Sequence, residues 1–304
     1  MTKREYLNRL ESCLICIERG EREAALRYYS DYFDDAGMEN EQAVIAELGS
    51  PEALARQIIA EAGGGGEAKR EATGKADAMG EFHSIKADIV NANLTVQVGG
   101  EWAVDVRYPE GMDVPRITVI NGTLTIEEEQ KRKFWGVSHI GSWKPGRIDI
   151  TVPDIQFREF RIENVNGAIR IPPLRVDTLR CETVNGSVLL EGVRADSINA
   201  QSVNGSVSLT GCRSAVKCKA ETVNGSVTLG GELRGTVKAG AVNGAIRVSS
   251  TLPITEYNVD ISTLSGSIRI DGEKHRREVH IAHQAQNSVK ASTVNGGITL
   301  DFVR

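Results

Sequence analysis

The chain has 304 residues, with 31 glycines, 8 prolines, 15 aromatics, 40% apolar and 25% charged side chains, which excludes general disorder and suggests two average domains. Its net charge of −5 is uneven: residues 1–62 hold 7 Lys/Arg against 13 Asp/Glu, and the rest holds 29 against 28. A nucleic-acid binder carries a basic stripe, so nucleic acid is excluded as a partner.

Residues 1–62 are expected to be helical, in four short pieces. Leu7, Leu10, Leu14 and Ile17 recur at three- and four-residue spacing and line one helix face. A second helix carries Tyr28, Tyr29, Tyr32 and Phe33 and stops near Gly37, and a third, capped by Asn40, holds Val44, Ile45 and Leu48. After Gly49, Ser50-Pro51 starts the fourth, with a capping serine and proline at the first helical position. That helix offers Leu54, Ile58 and Ile59 to a common core. Cys13 and Cys16 have no second Cys/His pair to complete a tetrahedral metal site, so they read as structural.

The opening K-R-E-Y-L-N-R-L, the Y-Y-S-D-Y-F-D-D segment and the closing V-I-A-E-L-G-S-P-E-A-L-A-R-Q-I carry a family resemblance. This head resembles the HAAS-type signalling domain of bacilli and related bacteria. The resemblance implies a small interaction module tied to membrane or envelope signalling. No uncharged apolar stretch reaches the ~18 residues of a membrane helix, so no membrane span is expected. Residues 63–80, Gly-rich and polar, read as a flexible linker.

From residue 81 to residue 304 the chain is governed by an internal repeat. Val-Asn-Gly or a close variant recurs with Asn166, Asn185, Asn204, Asn224 and Asn243, then Ser265, then Asn295, at intervals of 19, 19, 20, 19, 22 and 30 residues. Val90-Asn91-Ala92 and Ile120-Asn121-Gly122 are earlier relatives. On this alignment, Phe160, Leu179, Ile198, Cys218, Val237, Val259 and Val289 form one apolar column, and Ile162, Cys181, Ala200, Ala220, Ala239, Ile261 and Ala291 another. Two more follow the glycine, from Ile169 and Ile171 to Ile298 and Leu300. Apolar and polar positions alternate, as in strands with one buried face.

Each unit is too short for a strand-helix-strand crossover. The expected fold is therefore mainly β: a right-handed parallel β-solenoid of ~20-residue coils stacked in chain order, preceded by the small all-α module. Glycine would permit the sharp corner backbone, and the asparagines would form a structural ladder of amide hydrogen bonds among buried partners. Cys181 and Cys218 fall in inward columns, while Cys212 lies in a corner. The repeated E-T-V-N-G-S-V and S-V-N-G-S-V units and the R-I-D-I-T-V-P strand at 147–153 resemble the bacterial adhesin-type beta-strand-repeat family. That resemblance, over residues 82–304, implies the same solenoid and an envelope- or surface-associated binding role.

No catalytic constellation is expected. The outward column Arg161, Arg180, Asn199, Lys219, Lys238, Asp260 and Lys290 runs beside Glu163, Glu182, Gln201, Glu221, Gly240, Ser262 and Ser292, which reads as charge balance on a solvated sheet. Calcium-repeat and EF-hand patterns are absent, His280 and His283 have no third ligand, and no cofactor or metal is expected. Two irregular segments are weak binding candidates: 130–146, with Phe134, Trp135, His139 and Trp143, and 272–286, with Lys274, His275, Arg276, Arg277 and His280. The bland readings are an edge-covering cap for the first and solvated charge for the second.

The leading expectation is a non-enzymatic scaffold linked to envelope signalling. Its helical head would dock on a protein partner, such as a membrane-associated signalling component, and its solenoid would present a binding surface. A surface adhesin for glycan or cell wall is the alternative, and a polysaccharide-acting enzyme the third reading. Five unpaired-looking cysteines and an N-terminus without a secretory layout point to the cytoplasm, with peripheral docking at the inner membrane face.

Overall fold

The computed structural model describes residues 1–15, 22–23, 25–27, 29–30, 33, 41–63, 72–75, 80–109, 112, 114–128 and 145–303. The chain divides into a helical unit, to which residues 1–70 belong, and a β unit spanning 71–129 and 145–304.

In the helical unit, α1 (Lys3–Cys13) begins with a capping box. The Thr2 hydroxyl accepts from the Glu5 amide, and the Glu5 carboxylate accepts from the Thr2 amide at 2.9 Å. The α2 helix (Glu41–Leu48) ends at Gly49, whose φ of +72° suits a residue without Cβ. The α3 helix (Pro51–Gly63) starts as the Ser50-Pro51 pair predicts, the Ser50 hydroxyl accepting from Ala53 N–H at 3.1 Å. Tyr6, Leu10, Leu14, Tyr29, Phe33, Val44, Leu54 and Ile58 are buried together, with Tyr6 and Phe33 rings 5.6 Å apart. Cys13 packs at the edge of this cluster; Ile17, Cys16, Tyr28, Tyr32, Gly37 and Asn40 lie outside the described residues.

The β unit builds two parallel ladders from its repeats. One runs in the order β6 (Thr123–Glu127), β2 (Ser84–Ile89), β8 (Gln156–Asn166), β10 (Arg175–Asn185), β12 (Arg194–Asn204), the second half of β13 (Val207–Asn224), β15 (Thr236–Asn243), β21 (Asn287–Asn295) and β17 (Tyr257–Ser265). The other runs β7 (Gly146–Val152), β3 (Ala92–Val98), β9 (Ile169–Ile171), β11 (Val188–Glu191), the first half of β13, β14 (Val227–Leu233), β16 (Ile246–Ser250), β22 (Ile298–Phe302) and β18 (Ile268–Ile270).

Register is kept by the repeat: Arg180 pairs with Asn199, Asn199 with Lys219, and Lys219 with Lys238. The four apolar columns fill a single core. Cys181, Cys212 and Cys218 are all fully buried, so the corner cysteine is a core residue too. Burial pushes the Cys212 thiol up to about 11 and the Cys218 thiol up to about 12.

Three expectations change. First, stacking follows chain order only in the five central units, from β8–β9 to β15–β16. At one end β21–β22 stands between β15–β16 and β17–β18, although it comes after both in sequence. The 30-residue interval exists because the chain first makes β19 (Glu273–His275) and β20 (Glu278–Ile281), which pair antiparallel outside β18 and β17, and then returns to the vacant place. At the other end β7 enters between β3 and β4 (Ala103–Tyr108), and β4 pairs with it antiparallel. With β5 (Arg116–Ile120) on β6 and β1 (Ala72–Lys75) on β4, the outermost strand of each ladder at each end, among the described residues, pairs antiparallel with its neighbour. Strand β1 falls within the segment read as linker.

Second, the corner glycines mostly do not need a left-handed backbone; from Gly167 to Gly296 in this column only Gly167, at φ +153°, has a positive φ. What they need is room. A Cβ on Gly186, Gly205, Gly225, Gly244 or Gly296 would lie inside contact distance of the carbonyl oxygen of the glycine in the next unit of the stack. Third, the asparagine ladder is on the outside, as described next.

Candidate binding face

The outer surface of the first ladder carries parallel columns that follow from strand alternation. The basic column and the acidic column are two residues apart, so they share a face, and three rungs close their own ion pair: Arg161–Glu163 at 2.7 Å, Arg180–Glu182 at 2.9 Å and Lys219–Glu221 at 2.7 Å. Each of these carboxylates thus faces the cation of its own rung. The next position turns inward and is polar: Asn164, Thr183, Ser202, Thr222, Thr263 and Thr293 are buried. Their side chains donate across the stack to backbone carbonyls, Thr183 to Gly167 (3.1 Å), Ser202 to Gly186 (2.8 Å), Thr222 to Gly205 (2.7 Å), Thr293 to Gly244 (3.0 Å), Thr263 to Gly296 (2.9 Å) and Asn164 to Ala92 (2.7 Å). Each bond ties a corner to the neighbouring unit.

Beyond it the valine of each Val-Asn-Gly points out again. Val184, Val203, Val223, Val242 and Val294 are each about 40% exposed, and Leu264 is 69% exposed. A row of half-exposed valines at one spacing is an apolar stripe, not scattered surface hydrophobics. Between the valine and acidic columns lies a groove of about 610 Å³. Its walls include Val184, Val203, Val223, Glu163, Glu182 and Glu221, and no Lys or Arg is among its lining residues. At one end Glu128 accepts from Val90 N–H (2.6 Å) and Asn91 N–H (3.1 Å), beside the lining residues Asp88 and Ile89.

Next to the valines, amide hydrogen bonds join the asparagines in stack order. Asn166 donates to Asn91 (2.7 Å), Asn185 to Asn166 (2.8 Å), Asn204 to Asn185, Asn224 to Asn204, Asn243 to Asn224 and Asn295 to Asn243 (each 2.9 Å). The step from Asn243 to Asn295 reproduces the out-of-order placement of β21. Asn185, Asn204, Asn224, Asn243 and Asn295 are exposed, so their partners are solvated rather than buried.

Trp135 and Trp143 lie outside the described residues. Arg276 and Arg277 are exposed between β19 and β20, the Arg277 carbonyl accepting from Thr263 N–H at 2.8 Å, and neither lines the groove. His280 stands 3.1 Å from both Asp260 and Glu278. Among the described residues no group of three or more His, Cys, Asp or Glu is placed to hold a metal ion. The valine stripe and the hydroxyl ladder were both visible in E-T-V-N-G. The valine's outward turn depends on the inward turn of the threonine before it.

A sheet of stacked 19–20-residue units with a linear outer groove defines the class: a β-strand repeat protein with one continuous, regularly patterned outer surface. Residues 83–251, more than half of the chain, match the family model described as Toastrack DUF4097, and the chain belongs to that family. Residues 5–57 match the HAAS model, in agreement with the resemblance of the head. Comparison with the curated proteins finds no match. Among solved structures the chain is similar to a candidate cell adhesion protein from Clostridium sporogenes (13% identity, TM-score 0.38, covering 77% of this chain and 100% of that one). It is similar also to a candidate adhesin from Bacteroides fragilis (15%, 0.40, 78% and 98%) and a candidate lipid binding protein from Parabacteroides distasonis (14%, 0.42, 77% and 97%).

Proposed function

We propose that this protein is a non-enzymatic interaction scaffold of bacterial envelope signalling. The HAAS head docks on a protein partner at the inner face of the membrane, and the β unit, wound as a right-handed parallel solenoid, binds a second ligand in the outer groove. The observation that carries the reading is the groove itself: a valine wall facing an acidic wall, whose Glu163, Glu182 and Glu221 each also pair with the cation of their own rung. Such walls suit an extended segment with alternating apolar and cationic side chains, because the apolar groups cover valine and the cations meet Glu163, Glu182 and Glu221.

Two measurements test the two halves. In cell fractionation the full chain is expected to sediment with a membrane-bound partner, and a chain lacking residues 1–62 to remain in the supernatant. If both forms stay soluble and capture nothing, the docking role fails. For the groove, a fluorescent peptide of alternating valine and lysine is expected to bind the full chain and to lose at least ten-fold in affinity with Val203→Lys/Val223→Lys. Equal binding by this double variant would place the ligand elsewhere.

A further inference from the structure

The place occupied by β21–β22 is a slot with two equivalent walls. Val289 pairs with Val237 on one side and Val259 on the other, Ala291 with Ala239 and Ile261, Asn295 with Asn243 and Ser265, and Ile298 with Ile246 and Ile268. Every column therefore passes through the slot in one register. Taking β21–β22 out would leave walls whose columns already match, Val237 to Val259 and Ile246 to Ile268, so the β unit has a shorter in-sequence stack available to it.

The occupant is held by a clasp. The Asn287 side chain accepts from Gly235 N–H at 2.8 Å and donates to the Glu256 carbonyl at 3.1 Å, touching both walls, and Asp271 accepts from Phe302 N–H at 2.8 Å. Residues 282–286 join it to the strand before it, passing from β20 on the outer side of β17 to β21 on the inner side. That crossing spans two strand spacings, about 10 Å. Five residues cover it, and the slot distinguishes only the pattern of the segment that enters, not the chain to which it belongs.

We propose that this slot is an exchange site for a second copy of the same chain: residues 287–302 of one molecule fill the slot of another, and the pair forms a swapped dimer. The occupant is argued from the columns. The slot takes an aliphatic residue, a small residue, a hydroxyl and Asn-Gly at fixed spacing, and Val289, Ala291, Thr293, Asn295 and Gly296 supply them in every copy. Exchange does not depend on what the groove binds. It adds an assembly step in which one molecule's end unit becomes part of another's stack.

Two single variants test this, Thr236→Cys and Ser288→Cys, whose positions face each other across β15 and β21. Both are made with Cys13 and Cys16 replaced by serine; the buried Cys181, Cys212 and Cys218 thiols, held protonated by burial, stay out of exchange. Co-refolding the two singles and oxidising is expected to give a covalent heterodimer whose share rises with protein concentration. Deleting Ala282–Gln286 bonds Ile281 directly to Asn287, about 3.8 Å of chain against a crossing of about 10 Å, and is expected to raise the dimer share at least ten-fold. If the double variant closes within one chain while the mixed singles never cross-link, exchange is overturned. Light scattering on the deleted chain is a thiol-free reading: twice the monomer mass supports exchange, and monomer mass overturns it.

Discussion

The central units and the end units of the β stack solve different problems with the same residues. In the centre, from β8–β9 to β15–β16, each unit lies on the one before it and chain order equals stack order. At the ends the same units are interleaved: β7 closes between β3 and β4, and β21–β22 between β15–β16 and β17–β18. A purely sequential stack leaves two open parallel edges that invite further strands. Interleaving lets antiparallel β1, β5, β19 and β20 form those edges, and it ties the last units to contacts made earlier in the chain. Repetition confers register, and its interruption terminates the stack.

The sharpest way to break the comparison is a methyl group in the centre. Gly205→Ala would drive Cβ into the Gly186 carbonyl, backbone against backbone, and is expected to cost about 3 kcal/mol. Gly272→Ala, in the turn between β18 and β19, has nothing within 4 Å and costs only the left-handed backbone at φ +84°, about 1 kcal/mol. Urea denaturation of both variants measures the gap; equal midpoints would mean that close stacking does not govern the centre.

Alkali is expected to act on the central thiols next. Burial raises Cys181, Cys212 and Cys218 in the folded chain, so the unfolded chain loses protons first. Their contribution is fully present below about pH 8.5, the ordinary thiol value, and falls as pH rises toward the folded values, on the order of 1 kcal/mol per pH unit for each thiol. Cys181→Ala, which copies Ala200 and Ala220 of the same column, should flatten the decline of stability between pH 8.5 and 10. An unchanged slope would show that this thiol is accessible in the folded protein.

The smallest effects separate the two ladders. Thr222→Val removes a buried donor and is expected to cost about 1–2 kcal/mol, against roughly 0.5–1 kcal/mol for Asn224→Ala on the exposed side. Ala241, between Thr222 and Thr293, is the one central position of this column without a side-chain donor; Ala241→Thr should add a rung toward Gly225 and stabilise by about 0.5–1 kcal/mol. Thermal melts of the three variants give the order, and a larger loss for Asn224→Ala would reverse it.

The repeat made much of this legible without coordinates. Seven aligned units identify which side chains are buried, because alternation and period are local properties of the chain. They identify the basic and acidic columns, while the HAAS head is legible from its own motifs, from K-R-E-Y-L-N-R-L to V-I-A-E-L-G-S-P-E-A-L-A-R-Q-I. The candidate groove was less legible. Whether valine or asparagine points outward depends on how the strand bends between the inward threonine and the corner, and one column cannot reveal that.

Sequence alone therefore determined the unit, its register and its core, since identical segments can only stack with like above like. It also placed the asparagines in one line. Tertiary structure decided which unit lies on which at the ends, because a repeat pairs equally well with any other repeat and only the connections choose. It decided that the glycines answer to a neighbour's carbonyl rather than to their own dihedrals, a contact between residues 19 or 20 positions apart along the central chain. And it decided that the asparagines face water while the threonines beside them tie the stack from within.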